Sequence, residues 1–113
     1  MWEHIAGLID EWGRPYVGSS GLSAVGAVVG ATHPEAIARA RELMPSAPFL
    51  LPGVGAQGGR AEDLAPAFAN HPAGGLVVAA RSVIYAWRER GGDWQQAVRT
   101  AAAELRRAAA GVS

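Results

Sequence analysis

Residues 24–59 read AVGAVVGATHPEAIARARELMPSAPFLLPGVGAQGG, and their order decides the fold class. An apolar run at Ala24–Ala31, bounded by turn residues, suits a strand buried on both faces. Thr32-His33-Pro34-Glu35 then offers a capping residue, a first-turn proline and a glutamate three positions on, a helix-start signature with Thr32 as cap. Ile37, Ala40, Leu43 and Met44 follow at helical spacing and Pro45 stops the helix. Phe49-Leu50-Leu51 is a second apolar run that leads directly into the glycine loop Pro52–Gly59.

The same alternation continues outward. Towards the N-terminus, Trp2, Ile5, Leu8, Ile9 and Trp12 lie at helical spacing, so residues 2–12 form an amphipathic helix that Gly13 and Pro15 end. Tyr16–Ser23 reads as loop. Towards the C-terminus, Ala61–Ala69 forms a short helix disturbed by Pro66, and Gly75–Ala80 (GLVVAA) is a third apolar run with Arg81 at its end. Ser82–Arg88 gives one or two helical turns. Asp93 caps a final helix carrying Trp94, Ala97, Val98, Ala101, Leu105 and Ala108 on one face, and Gly111 stops it. Apolar strands separated by helices predict an α/β domain with a parallel sheet covered on both faces. No linker or repeat divides the chain, so residues 1–113 are read as a single domain.

Composition narrows the function classes. The 113 residues include ten Arg, no Lys, ten Asp plus Glu and no Cys, with a formal net charge of zero. Scattered arginines and balanced charge provide no basic footprint for nucleic acid or an anionic membrane. Absence of Cys removes disulfides, thiolate zinc sites and a cysteine nucleophile, and suits a reducing cytoplasm. The N-terminus lacks the regions of a signal peptide, and no apolar run is long enough to span a bilayer. His4, His33 and His71 have no metal-ligand spacing, so no metal is expected. Ser19, Ser20, Ser23 and Ser82 stand in no hydrolase motif. Trp12, Trp87 and Trp94 read as core or interface anchors.

Three glycines carry the chemical signal. Gly53, Gly55 and Gly58 fit G-x-G-x-x-G, whose glycines let a tight turn approach a phosphate at a helix start. A dinucleotide fold would put an acid at the end of the next strand, where this chain has Ala80-Arg81; an Arg there suits a 2′-phosphate. A (β/α)₈ barrel instead holds phosphate on the loops after its last two strands and at a short extra helix. The glycine loop, Arg81 and the helical turn after it match that arrangement. The plain alternative is that the glycines only form a turn and Arg81 is a solvated charge.

The segments GAVVGATHPEAIARARELMPSAPFLLPGVGAQGG (26–59) and GGLVVAARSVIYA (74–86) resemble the C-terminal portion of orotidine 5′-phosphate decarboxylase, in the bacterial subgroup with GAVVGAT and PGVGAQGG motifs. The resemblance runs from about Ala24 to Ala86. It implies the C-terminal part, about three βα units with parallel strands, of a (β/α)₈ TIM barrel that dimerises. It also implies cofactor-free decarboxylation of orotidine monophosphate to uridine monophosphate, in pyrimidine biosynthesis. Gln57 would bridge the pyrimidine and the phosphate, Arg81 would grip the phosphate, and the backbone amides of Ala80 and Arg81 would cradle it. Pro52 would line the pyrimidine pocket, with Gly53 and Gly58 shaping the loop.

Two departures matter. Ala80 stands where many relatives carry Gly, which is tolerable if its φ stays negative. The family's Asp-x-Lys-x-x-Asp motif and its further Lys are absent, so no catalytic residue is expected in this chain, since Arg gives up a proton too reluctantly to replace Lys. A barrel needs about 250 residues. The chain is therefore expected to be a fragment, a truncated product or one part of a split enzyme, inactive alone and working as a homodimer or with a complementing N-terminal half. The competing expectation is a non-catalytic phosphate-binding or assembly module.

Overall fold

The computed structural model describes all of residues 1–113. Helix α1 (Trp2–Gly13) and a 3₁₀ turn (Arg14–Tyr16) precede three βα units. These are β1 (Ala27–Val28) with α2 (Pro34–Leu43), β2 (Phe49–Leu51) with a 3₁₀ helix (Ala61–Phe68), and β3 (Gly75–Val77) with α3 (Arg81–Ile84), α4 (Ala86–Arg90) and α5 (Trp94–Ala110). The strands form one parallel sheet in the order β1-β2-β3.

The strands are shorter than the apolar runs that encode them, and two prolines explain β1. Pro48 and Pro52 flank β2, and neither has an N–H to donate to its neighbour. Their carbonyls still accept from Ala27 and Ala31, at 3.1 and 2.8 Å, while Leu50 accepts from Val29 at 2.9 Å. The chain from Ala27 to Ala31 thus tracks β2 along its whole length, and the ladder lacks only the donors that the two prolines cannot supply.

α1, α2 and the 3₁₀ helix supply the core on one side of this sheet, while α4 and α5 bury Ala86, Ala97 and Ala101 against each other. Phe49 and Leu51 are fully buried against Ile37, Ala40, Leu64 and Ala67, whereas Val28 is 70% and Leu76 62% exposed, with Leu50 and Val78 also in solvent. The expected two-sided cover is therefore corrected: successive strand residues point to opposite faces, and in this chain only one of those faces meets helices. The radius of gyration, 15.4 Å, exceeds the roughly 13 Å of a compact chain of this length.

Arg41 holds the covered side together. It lies on α2 four residues after Ile37, inside the apolar stripe, and only 3% of it is exposed. Its Nε donates to the Ala67 carbonyl (2.9 Å), Nη1 to Met44 and Ala47 (2.9 and 2.7 Å), and Nη2 to Ala67 and Gly74 (2.7 and 2.9 Å). The guanidinium also sits 3.8 Å from the centroid of the Phe49 ring. Burial pushes its pKa down, and the carbonyl dipoles and ring face offset that loss of solvation. One side chain thereby joins the end of α2, the end of the 3₁₀ helix and the entry to β3.

Three other expectations change. The cap of α2 is His33, not Thr32, and it makes no side-chain hydrogen bond. With Thr32 as cap, His33 would need helical dihedrals, which the following Pro34 disfavours; Pro34 instead takes the first helical position. Helix α1 buries Ala6 and Gly13, with Ile9 partly covered, and leaves Trp2, Ile5 and Trp12 exposed. Trp87 and Trp94 are exposed as well, so none of these tryptophans anchors a core. Asp93 does cap α5, accepting from Gln95 and Gln96 N–H groups, and Arg90 of α4 hydrogen-bonds Glu104 of α5 and holds that carboxyl below its ordinary pKa.

Arg41→Met removes five hydrogen bonds, leaves the Ala47 and Ala67 carbonyls without a donor, and is expected to cost more than about 3 kcal/mol in urea unfolding followed by circular dichroism. Arg41→Lys keeps the charge with three donors in place of five and recovers only part of the loss. A methionine variant as stable as the wild type contradicts the role given to the fork.

Candidate functional site

The loops at the C-terminal ends of β2 and β3 meet over a cleft of about 240 Å³. Its walls include Pro52, Gly53 and Gln57 from the first loop and Ala80 and Arg81 from the second, so five of the six residues singled out from the sequence converge. Gly58 does not line it. Val54, Ala56, Val78 and Ala79 complete the lining; the last two were legible only as the end of an apolar run.

The glycine loop is a self-bonded turn. Gly53, Gly55 and Gly58 all have positive φ (100°, 80° and 89°), which side chains other than Gly rarely adopt. Gly55 N–H donates to Gly59 O, Gly58 N–H to Gly55 O and Gly59 N–H to Gly53 O, each at 2.9 Å. The Gly58 amide is thereby committed within the loop. Gly55 has a further constraint, because a Cβ there would come within 2.7 Å of Ser82 Cβ and Oγ. The loop thus rests directly on the first turn of α3. Gln57 folds back over the loop, with Oε1 3.1 Å from where a Gly53 Cβ would lie.

Across the cleft, Ala80 precedes α3 with φ −112°, so the negative φ that makes Ala acceptable is present. The N–H groups of Arg81 and Ser82 open α3 and, as first-turn donors, have no partner within the helix. Arg81 is exposed and takes part in none of the ion pairs of the molecule. A second cleft of about 440 Å³, between Gly55 and Arg88, shares Arg81 with the first. Cation, free amides and carboxamide therefore border one small space, a donor set that suits an oxyanion.

The remaining candidates lie elsewhere. Thr32 packs its methyl towards Gly53, 3.7 Å from a Cβ position there, and His33 faces Glu35 at 3.6 Å in solvent. His71 Nδ1 accepts from Ala73 N–H at 2.9 Å and stabilises a turn.

Similarity to known proteins coincides with this geometry. The sequence relatives are orotidine 5′-phosphate decarboxylases. The protein of that name from Deinococcus radiodurans is 54% identical over 82 residues, 73% of this chain and 29% of its own length. That from Caldicellulosiruptor bescii is 46% identical over 88 residues, 78% and 29%, and that from Halobacterium salinarum 43% over 106 residues, 94% and 37%. The chain thus spans about a third of the length of the curated relatives it matches. No protein-family model matches it. Among solved structures, a putative orotidine-monophosphate-decarboxylase from Toxoplasma gondii superposes with a TM-score of 0.68 at 22% identity, over 98% of this chain and 42% of that one. Leishmania donovani UMP synthase gives 0.61 at 28% identity, over 96% and 22%. The fold is that of part of a decarboxylase TIM barrel, which sets the glycine loop in a barrel and not in a dinucleotide-binding domain.

Gly55→Ala combines strain at positive φ with the Ser82 clash and is expected to destabilise the chain clearly more than Gly58→Ala, where space is open and only about 1–2 kcal/mol of left-handed strain applies. Urea unfolding of the two variants checks the order, and equal losses contradict the loop-on-helix contact.

Proposed function

We propose that the chain carries the phosphate-binding part of an orotidine 5′-phosphate decarboxylase, the enzyme that converts orotidine monophosphate to uridine monophosphate and carbon dioxide. The observation that carries this reading is the convergence of Pro52, Gly53, Gln57, Ala80 and Arg81 on one cleft, in a chain whose sequence relatives bear that name. Arg81 grips the phosphate through its planar fork, which matches two oxygens at once. The Ala80 and Arg81 amides complete the cradle, Gln57 spans from phosphate to pyrimidine, and Pro52 lies against the base. Binding energy gathered at the phosphate lowers the barrier at the distant reacting carbon when it is realised in the transition state.

Protonation of the carbanion left by carbon dioxide needs an acid that this chain does not hold, since it contains no Lys and Arg is too weak an acid. The isolated chain is accordingly read as inactive, with turnover depending on further βα units or a second subunit. A second reading, a phosphate-binding or assembly module without turnover, draws on the same absence and on the bare apolar sheet face.

Calorimetric titration of the folded chain with uridine monophosphate is expected to give binding that Arg81→Ala weakens at least about tenfold, the loss of one charge-assisted fork. A folded, monodisperse wild type that takes up no nucleotide overturns the preformed half-site.

A further inference from the structure

We infer that the cleft between Gly55 and Arg88 is a subsite for a second phosphate group, so that this chain takes a nucleoside 5′-diphosphate across Arg81 and holds it more tightly than the monophosphate. The inference rests on the nucleotide site proposed above and extends it by one phosphate.

The two clefts share a wall. Ala56 and Arg81 line both of them, and the second, of about 440 Å³, adds Ser82, Tyr85 and Arg88. The planar guanidinium of Arg81 carries donors along more than one edge, so a single side chain can serve a phosphate on each side of it. The N–H of Ala56, in the same wall, has no backbone acceptor.

Arg88 supplies a second cation. Its guanidinium lies 4.2 Å from the centroid of the Tyr85 ring and 5.4 Å from that of Trp87, and it takes part in no ion pair. Arg39 and Arg90, by contrast, are spent on Glu3, Glu42 and Glu104. Aromatic faces hold a guanidinium in place without neutralising it, so Arg88 keeps its charge for a ligand. The hydroxyls of Ser82 and Tyr85 add donors to the lining, and its one carboxylate, Glu89, pairs with neither arginine. A surplus of donors over acceptors, with an unpaired cation at either end, selects an oxyanion over a sugar or a base. Exposure of these side chains suits a terminal phosphate that keeps part of its water. A diphosphate, formed by phosphoryl transfer to a mononucleotide, thereby competes with the monophosphate for one site.

The test is calorimetric titration of the folded chain with uridine monophosphate and uridine diphosphate side by side. The diphosphate is expected to bind at least about tenfold more tightly. Arg88→Ala replaces an exposed side chain, so it leaves the circular dichroism and the monophosphate affinity unchanged and removes the advantage of the diphosphate, whereas Arg81→Ala weakens both nucleotides. Glu89→Gln takes away the one repelling charge and strengthens the diphosphate alone, by about two- to fivefold. Equal affinity for the two nucleotides, or a loss in Arg88→Ala that both share equally, overturns the second subsite and leaves the monophosphate site standing. Uptake of neither nucleotide overturns both.

Discussion

Five hydrogen bonds from the Arg41 guanidinium to the carbonyls of Met44, Ala47, Ala67 and Gly74 close the N-terminal side of the sheet. Ala47 and Ala67 have no backbone donor for their carbonyls, whereas Met44 also accepts from Ala47 N–H and Gly74 from Phe49 N–H across the sheet. A carboxylate partner would have satisfied two donors and left the chain ends unpaired. Carbonyls satisfy all five donors, and the face of Phe49 covers the cation. No buried side-chain polar atom is left without a partner. With α2, the 3₁₀ helix and β3 fixed to one point, β2 is held in the middle and its C-terminal end delivers Pro52 and the glycine loop to the site.

The period-two geometry of the strands separates the two sides of the molecule. Phe49 and Leu51 belong to the helix-covered core, while Leu50 and Val78 look into solvent. Pro52 and Ala80 continue those outward rows to the cleft. The buried core and the proposed site thereby fall at opposite ends and on opposite faces of three short strands. This division explains how a site can be laid out on a chain that leaves half of its sheet bare.

Local chemistry made much of this legible in the sequence. The apolar runs at Ala24, Phe49 and Gly75 marked three parallel strands, and G-x-G-x-x-G marked a loop whose three glycines all take positive φ. What was misread depends on neighbours. Thr32 looked like a cap until the restriction that Pro34 places on His33 is counted. The stripe Trp2, Ile5, Trp12 promised burial, but only the face of α1 bearing Ala6 meets α2. Arg41 was hidden among ten arginines, although its spacing from Ile37 set it on the buried stripe. The contact of Gly55 with Ser82 joins residues far apart in the chain, and no periodicity announces it.

Hydrogen exchange resolved by residue tests the one-sided, open-edged sheet most directly. The account predicts protected amides at Ala27, Val29, Ala31, Phe49 and Val78, whose N–H groups bond across the sheet, and rapid exchange at Val28 and Val77, which face the free edges. Protection of Val28 and Val77 in the lone chain, or uniformly rapid exchange at all seven, would contradict it.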